Sequence, residues 1–260
     1  MKIVIIHTTR SRPEIAYNTA DAWLSSRSSF VVDWTDIVDL TYHVGVEASE
    51  AEEYEPYLLK LREKYPNQVV VKMFEGKRIE IEDIMDVNFQ YPNEEECKGY
   101  LTANTKGNAL IKNAEYDWLI CVADNFFPPE NWLTRMYPYF ERLKHQIALF
   151  GYECQLRRRL VSHAICTKEF IEWNGGYLMY DGYYHTHGDS ELFLKASMAN
   201  CLYGFPAEFV PDHRHAYKGT APKDELCIIN NAKRSYDQAD PIFKKRQKEL
   251  IDKYAPKTET

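Results

Sequence analysis

Asp124 and Asn125 follow an apolar run, Trp118 to Val122, after the single residue Ala123, and stand directly before Phe126-Phe127-Pro128-Pro129. A carboxylate and an amide at the end of a buried strand are oxygen donors of the kind that Mn2+ or Mg2+ takes, with phosphate and water completing the shell. The double proline stops the strand and presets φ for a following helix. The same residues also make an ordinary Asx-capped turn, so the rest of the chain must decide between the two readings.

Four further groups have the types and spacing for chemistry. The first is the loop His7-Thr8-Thr9-Arg10-Ser11-Arg12-Pro13-Glu14, which joins hydroxyls and two arginines to a helix start. Backbone amides and guanidinium groups at such a place suit a nucleobase and a diphosphate, with Thr8 and Arg10 as donor-binding candidates. The second is Glu47, at the end of Val44-Gly45-Val46, where a carboxylate accepts hydrogen bonds from ribose hydroxyls. Next to it, Ser49 and Glu52 have the spacing of a capping box. The third is His185-Thr186-His187-Gly188-Asp189-Ser190-Glu191. Asp189 suits a general base taking a proton from an acceptor hydroxyl, and equally a helix N-cap; Glu191, two residues on, faces elsewhere on a helix. The fourth is Asp212-His213-Arg214-His215, where alternation turns His213 and His215 to one side. A neutral imidazole there is a ligand for Mn2+.

The elements that must position these groups alternate through the first half. Lys2 to His7 reads as a buried strand, and Pro13 opens a helix reaching about Ser25. The segment Asp36 to Glu47 contains a strand, Ser49 to Tyr65 a helix, and Gln68 to Phe74 a β-branched strand. Gly76 to Pro92 is irregular and acidic. Cys97 to Ala114 reads as a helix, and the strand ending at Asp124 follows. Asn131 to His145 reads as a helix, Ile147 to Tyr152 and Leu160 to Cys166 as strands. Strand-helix alternation predicts parallel strands joined by right-handed crossovers. The second half differs. An aromatic, turn-rich segment from Trp173 to Asp189 precedes a helix over Ser190 to Ala199, a short strand ending near Val210, and a late helix over Asp240 to Tyr254.

Composition narrows the classes. The 260 residues suit one large domain or two small ones, and 45% hydrophobic residues suffice for a core. A net charge of −7 argues against a general nucleic-acid or membrane binder; Arg157-Arg158-Arg159 beside Lys168 is the one conspicuous basic run and reads as a solvated turn. No apolar run has membrane-spanning length. Lys2 to Ile6 is too short for a signal-peptide core. The six cysteines have no zinc-knuckle or C-x-x-C spacing, so a reduced, cytoplasmic protein is expected.

Taken in order, these segments resemble the GT-A fold glycosyltransferases of the broad family-2-like group, over roughly Lys2 to Lys253. The T-T-R-S-R-P-E loop looks like the donor-binding loop after the first strand. Asn104-Thr105-Lys106-Gly107-Asn108-Ala109 looks like the helix before the metal-binding strand, which brings Lys106 among the donor-binding candidates. Ala123-Asp124-Asn125 falls at the D-x-D position, with Ala and Asn replacing its outer acids. Asn174-Gly175-Gly176-Tyr177 and Gly188-Asp189-Ser190-Glu191 look like the acceptor-side motifs, and His213 sits where a late histidine completes the metal shell. The chain looks most like short, single-domain phage and bacterial members.

The resemblance implies an α/β, Rossmann-like nucleotide-diphospho-sugar transferase fold: a central, mostly parallel sheet flanked by helices, in a single domain over 1–260. The nucleotide-sugar half spans 1–125 and the acceptor half 126–260. It implies hexosyl or pentosyl transfer from a nucleotide-diphosphate sugar, UDP-sugars foremost, to an acceptor hydroxyl. Mn2+ or Mg2+ is held by Asp124, Asn125 and His213; Asp189 is the base and the configuration inverts. Trp173 and Tyr177 offer aromatic surfaces to the acceptor, which is a glycan, a lipid carrier or a modified DNA base; a phage-encoded member works in the host cytoplasm. Two other classes stay open: a metal-dependent hydrolase built on His185, His187, Asp189, His213 and His215, and a non-catalytic nucleotide-sugar-binding module.

Overall fold

The computed structural model describes residues 1–26, 37–151, 160–214, 216–221 and 223–254. The basic run at 157–159 and His215 lie outside them. The elements in order are β1 (Lys2–Thr8), α1 (Pro13–Ser25), β2 (Asp39–Glu47), α2 (Ala51–Lys64), β3 (Val69–Phe74), α3 (Ile81–Met85) and α4 (Ala103–Ile111). Next come β4 (Trp118–Val122), β5 (Phe126–Phe127), α5 (Trp132–Leu143), β6 (Leu149–Gly151), β7 (Ile165–Thr167) and α6 (Lys168–Trp173). The last are α7 (Gly188–Met198), β8 (Leu202–Gly204), β9 (Asp212–His213), α8 (Glu225–Asn230) and α9 (Lys233–Tyr254).

One seven-stranded sheet has the order β3-β2-β1-β4-β7-β6-β8. β3, β2, β1 and β4 are parallel, β7 runs against both of its neighbours, and β8 is parallel to β6. Strands from both halves of the chain therefore share one sheet. A separate antiparallel ribbon pairs β5 with β9, Phe126 opposite His213.

β1 shows how the sheet is held. Ile3 and Ile5 enter a core with Trp23 of α1, Leu58 of α2 and Phe140 of α5. Val4 and Ile6 enter the opposite core with Leu110 of α4, Phe170 of α6 and Leu192 of α7. Alternate residues face opposite sides of a strand, so a strand covered on both faces is apolar throughout. Burial of these side chains contributes about 1.5–3 kcal/mol each.

Several expected boundaries shift. The helix expected over Cys97 to Ala114 is a 3-10 turn, Glu96–Gly99, followed by α4. Thr102 separates the two: its side chain caps α4 by accepting from Thr105 N. The capping box expected at Ser49 is replaced by a 3-10 turn, Ala48–Glu50, ahead of α2. A strand ending near Val210 is replaced by β8 and β9, and α9 begins at Lys233 rather than Asp240.

Strand order reverses beside β1: the chain steps outward through β2 and β3, then returns to β4 on the other side. Ligands in open α/β sheets bind in the crevice beyond the carboxyl ends of strands at such a switch point. The loop after β1 and residues 123–125 after β4 both open there.

Candidate functional site

At the base of this crevice is a buried chain of hydrogen bonds. Asp124, 5% exposed, receives His7 Nε2 at 2.8 Å, and His7 Nδ1 meets the Tyr42 hydroxyl at 2.8 Å. A carboxylate oxygen opposite Nε2 suits an N–H donor there, and the Tyr42 hydroxyl closes the chain at Nδ1. Burial, with the charge of Asp124 adding to it, holds the Tyr42 phenol well above its usual pKa and so protonated. The Asp124 backbone carbonyl accepts from Thr19 on α1.

Arg12 is the residue immediately before α1. Its Nη1 lies 3.9 Å from Asp124 Oδ2. Its Nε and Nη2 form a fork onto Asp224, at 2.7 and 2.6 Å, and Asp224 also caps α8 by accepting from Cys227 N at 3.0 Å. Burial works against the Arg12 charge, but the Asp224 hydrogen bonds and the field of Asp124 outweigh it, so the guanidinium pKa is raised. Burial likewise opposes the Asp224 charge, and the bond from Arg12 leads the effects that hold its pKa below the usual value. The Arg12 amide donates to the Tyr54 hydroxyl at 3.0 Å, which meets Thr9 Oγ1 at 2.8 Å.

Beyond this lies a buried ionic wall. Glu47, 1% exposed, takes Lys106 Nζ at 2.8 Å and Arg78 Nη1 at 3.3 Å; Lys106 also donates to the Thr9 carbonyl at 2.9 Å. The wall ties the β1 loop, the end of β2 and α4 together. Arg10, the expected donor ligand, turns into it and donates to the Ile79 carbonyl and Glu80, at 3.1 and 2.8 Å. Glu50 receives Ser11 N and Oγ at 2.9 and 2.8 Å. Thr8 ends β1 in register with Gly45, half-buried.

The acceptor-side candidates gather further along the same sheet edge. The Asp189 carbonyl accepts from Val161 N at 3.2 Å, and Ala164 O accepts from Cys121 N on β4 at 2.8 Å, so residues 161–164 link Asp189 to the strand that delivers Asp124. Asp189 is half-buried in the first turn of α7, and its Oδ1 accepts from Ser190 N at 2.7 Å. Behind it Glu191 is gripped by Arg246 at 2.7 and 2.6 Å, Lys195 at 2.8 Å and Tyr183 at 2.7 Å. Tyr177 meets Lys195 and Arg246 at 3.0 and 3.1 Å. Burial alone would raise the Glu191 pKa; the two cations bring it down to about 2. Trp173 packs in the helical layer against Phe170 and Tyr254.

Asp124, Asn125 and His213 fit a divalent cation poorly. One oxygen of Asp124 is held by His7 and the other faces the Arg12 guanidinium. Asn125 offers only a neutral side-chain amide, and its backbone carbonyl accepts from Arg214 N at 2.9 Å. His213 pairs with Phe126 across the ribbon, its ring edge-on to Phe126 and to the buried His163. Among the described residues no three His, Cys, Asp or Glu side chains form a metal-holding group. Among its described members the wider histidine cluster does not assemble either: His185 is exposed, and His187 meets Asp240 at 2.6 Å and stacks on Phe243. His7, Tyr42, Asp224, His163 and Arg246 were not singled out as site residues by sequence. The one local sign was His7, a polar residue closing an apolar strand.

No protein-family model matches the sequence, and no curated protein matches it. Among solved structures it is similar to S. aureus TarS 1-349 in complex with UDP, at a TM-score of 0.53 and 12% identity, covering 80% of this chain and 59% of that one. It is similar to the mannosyltransferase PcManGT from Pyrobaculum calidifontis in complex with GDP-Man and Mn2+, at a TM-score of 0.52 and 11% identity, covering 99% and 76%. The chain thus spans about three fifths of the TarS fragment it matches. These likenesses give the chain the GT-A fold. No described helix is long and apolar enough to cross a membrane.

Proposed function

We propose that this protein is a glycosyltransferase that moves a hexosyl or pentosyl group from a nucleotide-diphosphate sugar, a UDP-sugar foremost, to an acceptor hydroxyl on a glycan, a lipid carrier or a modified DNA base. The observation that carries this reading is the shared edge of a GT-A sheet, with Asp124 and Arg12 at the switch-point crevice and Asp189 along the same edge. Binding in the crevice orients the donor's diphosphate toward the β1 loop and α1, whose N-terminal amides favour an anion. Asp189 takes the proton of the acceptor hydroxyl as its oxygen bonds to the anomeric carbon. The bond from that carbon to the diphosphate breaks, and the nucleoside diphosphate leaves. A single displacement of this kind inverts the anomeric configuration.

The test is nucleotide release from a panel of nucleotide sugars, with glycan, lipid-phosphate and duplex-DNA acceptors, in wild type and Asp189→Ala. Removing a general base costs roughly 10²–10⁴-fold, so acceptor-dependent release should fall by that factor while UDP binding persists. Equal release from both proteins refutes the base assignment. Tight nucleotide-sugar binding without turnover on any acceptor favours a binding module, the reading that Ala123 and Asn125 at the acid positions support.

A further inference from the structure

We propose that Arg12 receives the donor's diphosphate directly, doing the work of a divalent cation, and that the Asp224 carboxylate holds the place of that diphosphate until the donor arrives. The inference rests on the glycosyltransferase reading and concerns how the leaving group is held.

Three observations converge on Arg12. First, the crevice is poor in metal ligands and rich in guanidinium. Residues 123 and 125 are Ala and Asn. Asp124 is committed to His7, and Arg12 Nη1 stands 3.9 Å from its other oxygen. A cation bound at that oxygen would sit against the Arg12 charge, and like charges at such range repel strongly where water is scarce. Second, the fork of Arg12 onto Asp224, at 2.7 and 2.6 Å, is the two-point geometry with which arginine binds phosphate. Asp224 therefore presents to Arg12 what a phosphate oxygen pair would present. Third, the partner is placed to let go. The Asp224 side chain is 33% exposed and Arg12 20%. Asp224 has a second reason to stay near, its cap on Cys227 N at 3.0 Å, and α8 is anchored independently through Ile229, whose carbonyl accepts from Tyr91 at 3.2 Å. A change of Asp224 rotamer releases the guanidinium without unfolding α8.

The neighbouring cations are committed elsewhere. Lys106 is buried against Glu47, Arg10 against Glu80 and the Ile79 carbonyl, and Arg78 against Glu47 and Glu50. Arg12 is the one of these four whose carboxylate partner comes from the C-terminal segment rather than from the wall itself.

The experiment is calorimetric titration of UDP and of inorganic pyrophosphate into the whole protein, in EDTA and in Mn2+. The proposal expects UDP affinity to be equal in the two buffers within about twofold. It expects Arg12→Gln to weaken both probes by roughly tenfold or more, and Arg12→Lys to restore part of the loss, as a point charge replaces a fork. Asp224→Asn keeps an oxygen for the Cys227 cap but removes the competing charge, so it should tighten both probes by about threefold or more. UDP binding that disappears in EDTA overturns the proposal and leaves the glycosyltransferase reading standing, with a cation in its ordinary role. Unchanged affinity in Arg12→Gln overturns it as well, and weaker binding in Asp224→Asn removes the stand-in role. Binding of neither probe under either condition, with no nucleotide sugar turned over, overturns both readings together.

Discussion

Replacing Glu191 with Gln should unfasten the acceptor half, and the loss should depend on pH. Glu191 is 3% exposed and surrounded by Arg246, Lys195 and Tyr183. Its pKa of about 2, against 4.5 for a free glutamate, means that folding favours the ionised form. A difference of that size corresponds to on the order of 3 kcal/mol. Removing one partner of a buried pair costs about 3–5 kcal/mol by an independent route, so the two figures agree. Because the folded pKa is the lower one, the contribution is complete above about pH 4.5 and disappears as pH falls through 2. Urea unfolding followed by circular dichroism at pH 7, 4.5, 3.5 and 2.5 should show Glu191→Gln less stable by roughly 3 kcal/mol at pH 7, with the gap closing toward pH 2.5. Arg246→Met should behave similarly at pH 7, and the double variant should lose much less than the sum of the two. A gap that is constant across this range, or under about 1 kcal/mol at pH 7, would refute the view that this knot fastens α9 to α7.

Two further outcomes follow from the crevice. Lys106→Met leaves Glu47 buried with Arg78 as its remaining cation, so unfolding free energy should drop by about 3–5 kcal/mol, whereas Lys2→Met, at the solvent-screened pair with Glu115, should leave it nearly unchanged; chemical denaturation of both separates the cases. His7→Leu removes the donor to Asp124 from a site with no exposed surface, and stability should fall by roughly 1–3 kcal/mol with UDP affinity falling alongside; stability equal to wild type would sink the assigned role of His7.

Much of the fold is legible because the sheet writes its burial into the chain. Ile3-Val4-Ile5-Ile6 and Trp118 to Val122 are apolar without interruption, which is what strands covered on both faces require. The errors sit where local signals are weak or short. The sequence pattern starts α9 seven residues late because its buried positions include Ser235 and Ala239, which give little hydrophobic contrast along a highly charged 22-residue helix. β8 and β9 have three and two residues, too few for any period to register. The start of α4 at Thr102, inside the helix expected from Cys97, is hard to read because Thr105, rather than an acid, completes its capping box.

The site was legible to the level of segment and not of side chain. The β1 loop offers Arg10 and Arg12 two residues apart, and nothing local says which faces the crevice. The choice is made by Glu80, 70 residues beyond Arg10, and by Asp224, 212 residues beyond Arg12. The same distance hides why Asp124 tolerates its neighbours Ala123 and Asn125. With His7, itself held by Tyr42, at one oxygen and the Arg12 guanidinium facing the other, the Asp124 carboxylate has protein partners on both sides. On the proposal above, Ala123 and Asn125 beside Asp124 and a guanidinium facing it are then a single adjustment, not two. Arg12 between Asp124 and Asp224 forms a cluster with one negative charge to spare. Exchanging the solvent-edged Asp224 for a diphosphate trades one fork-bound anion for another at the same guanidinium, and the buried pairing of Asp124 is left undisturbed throughout.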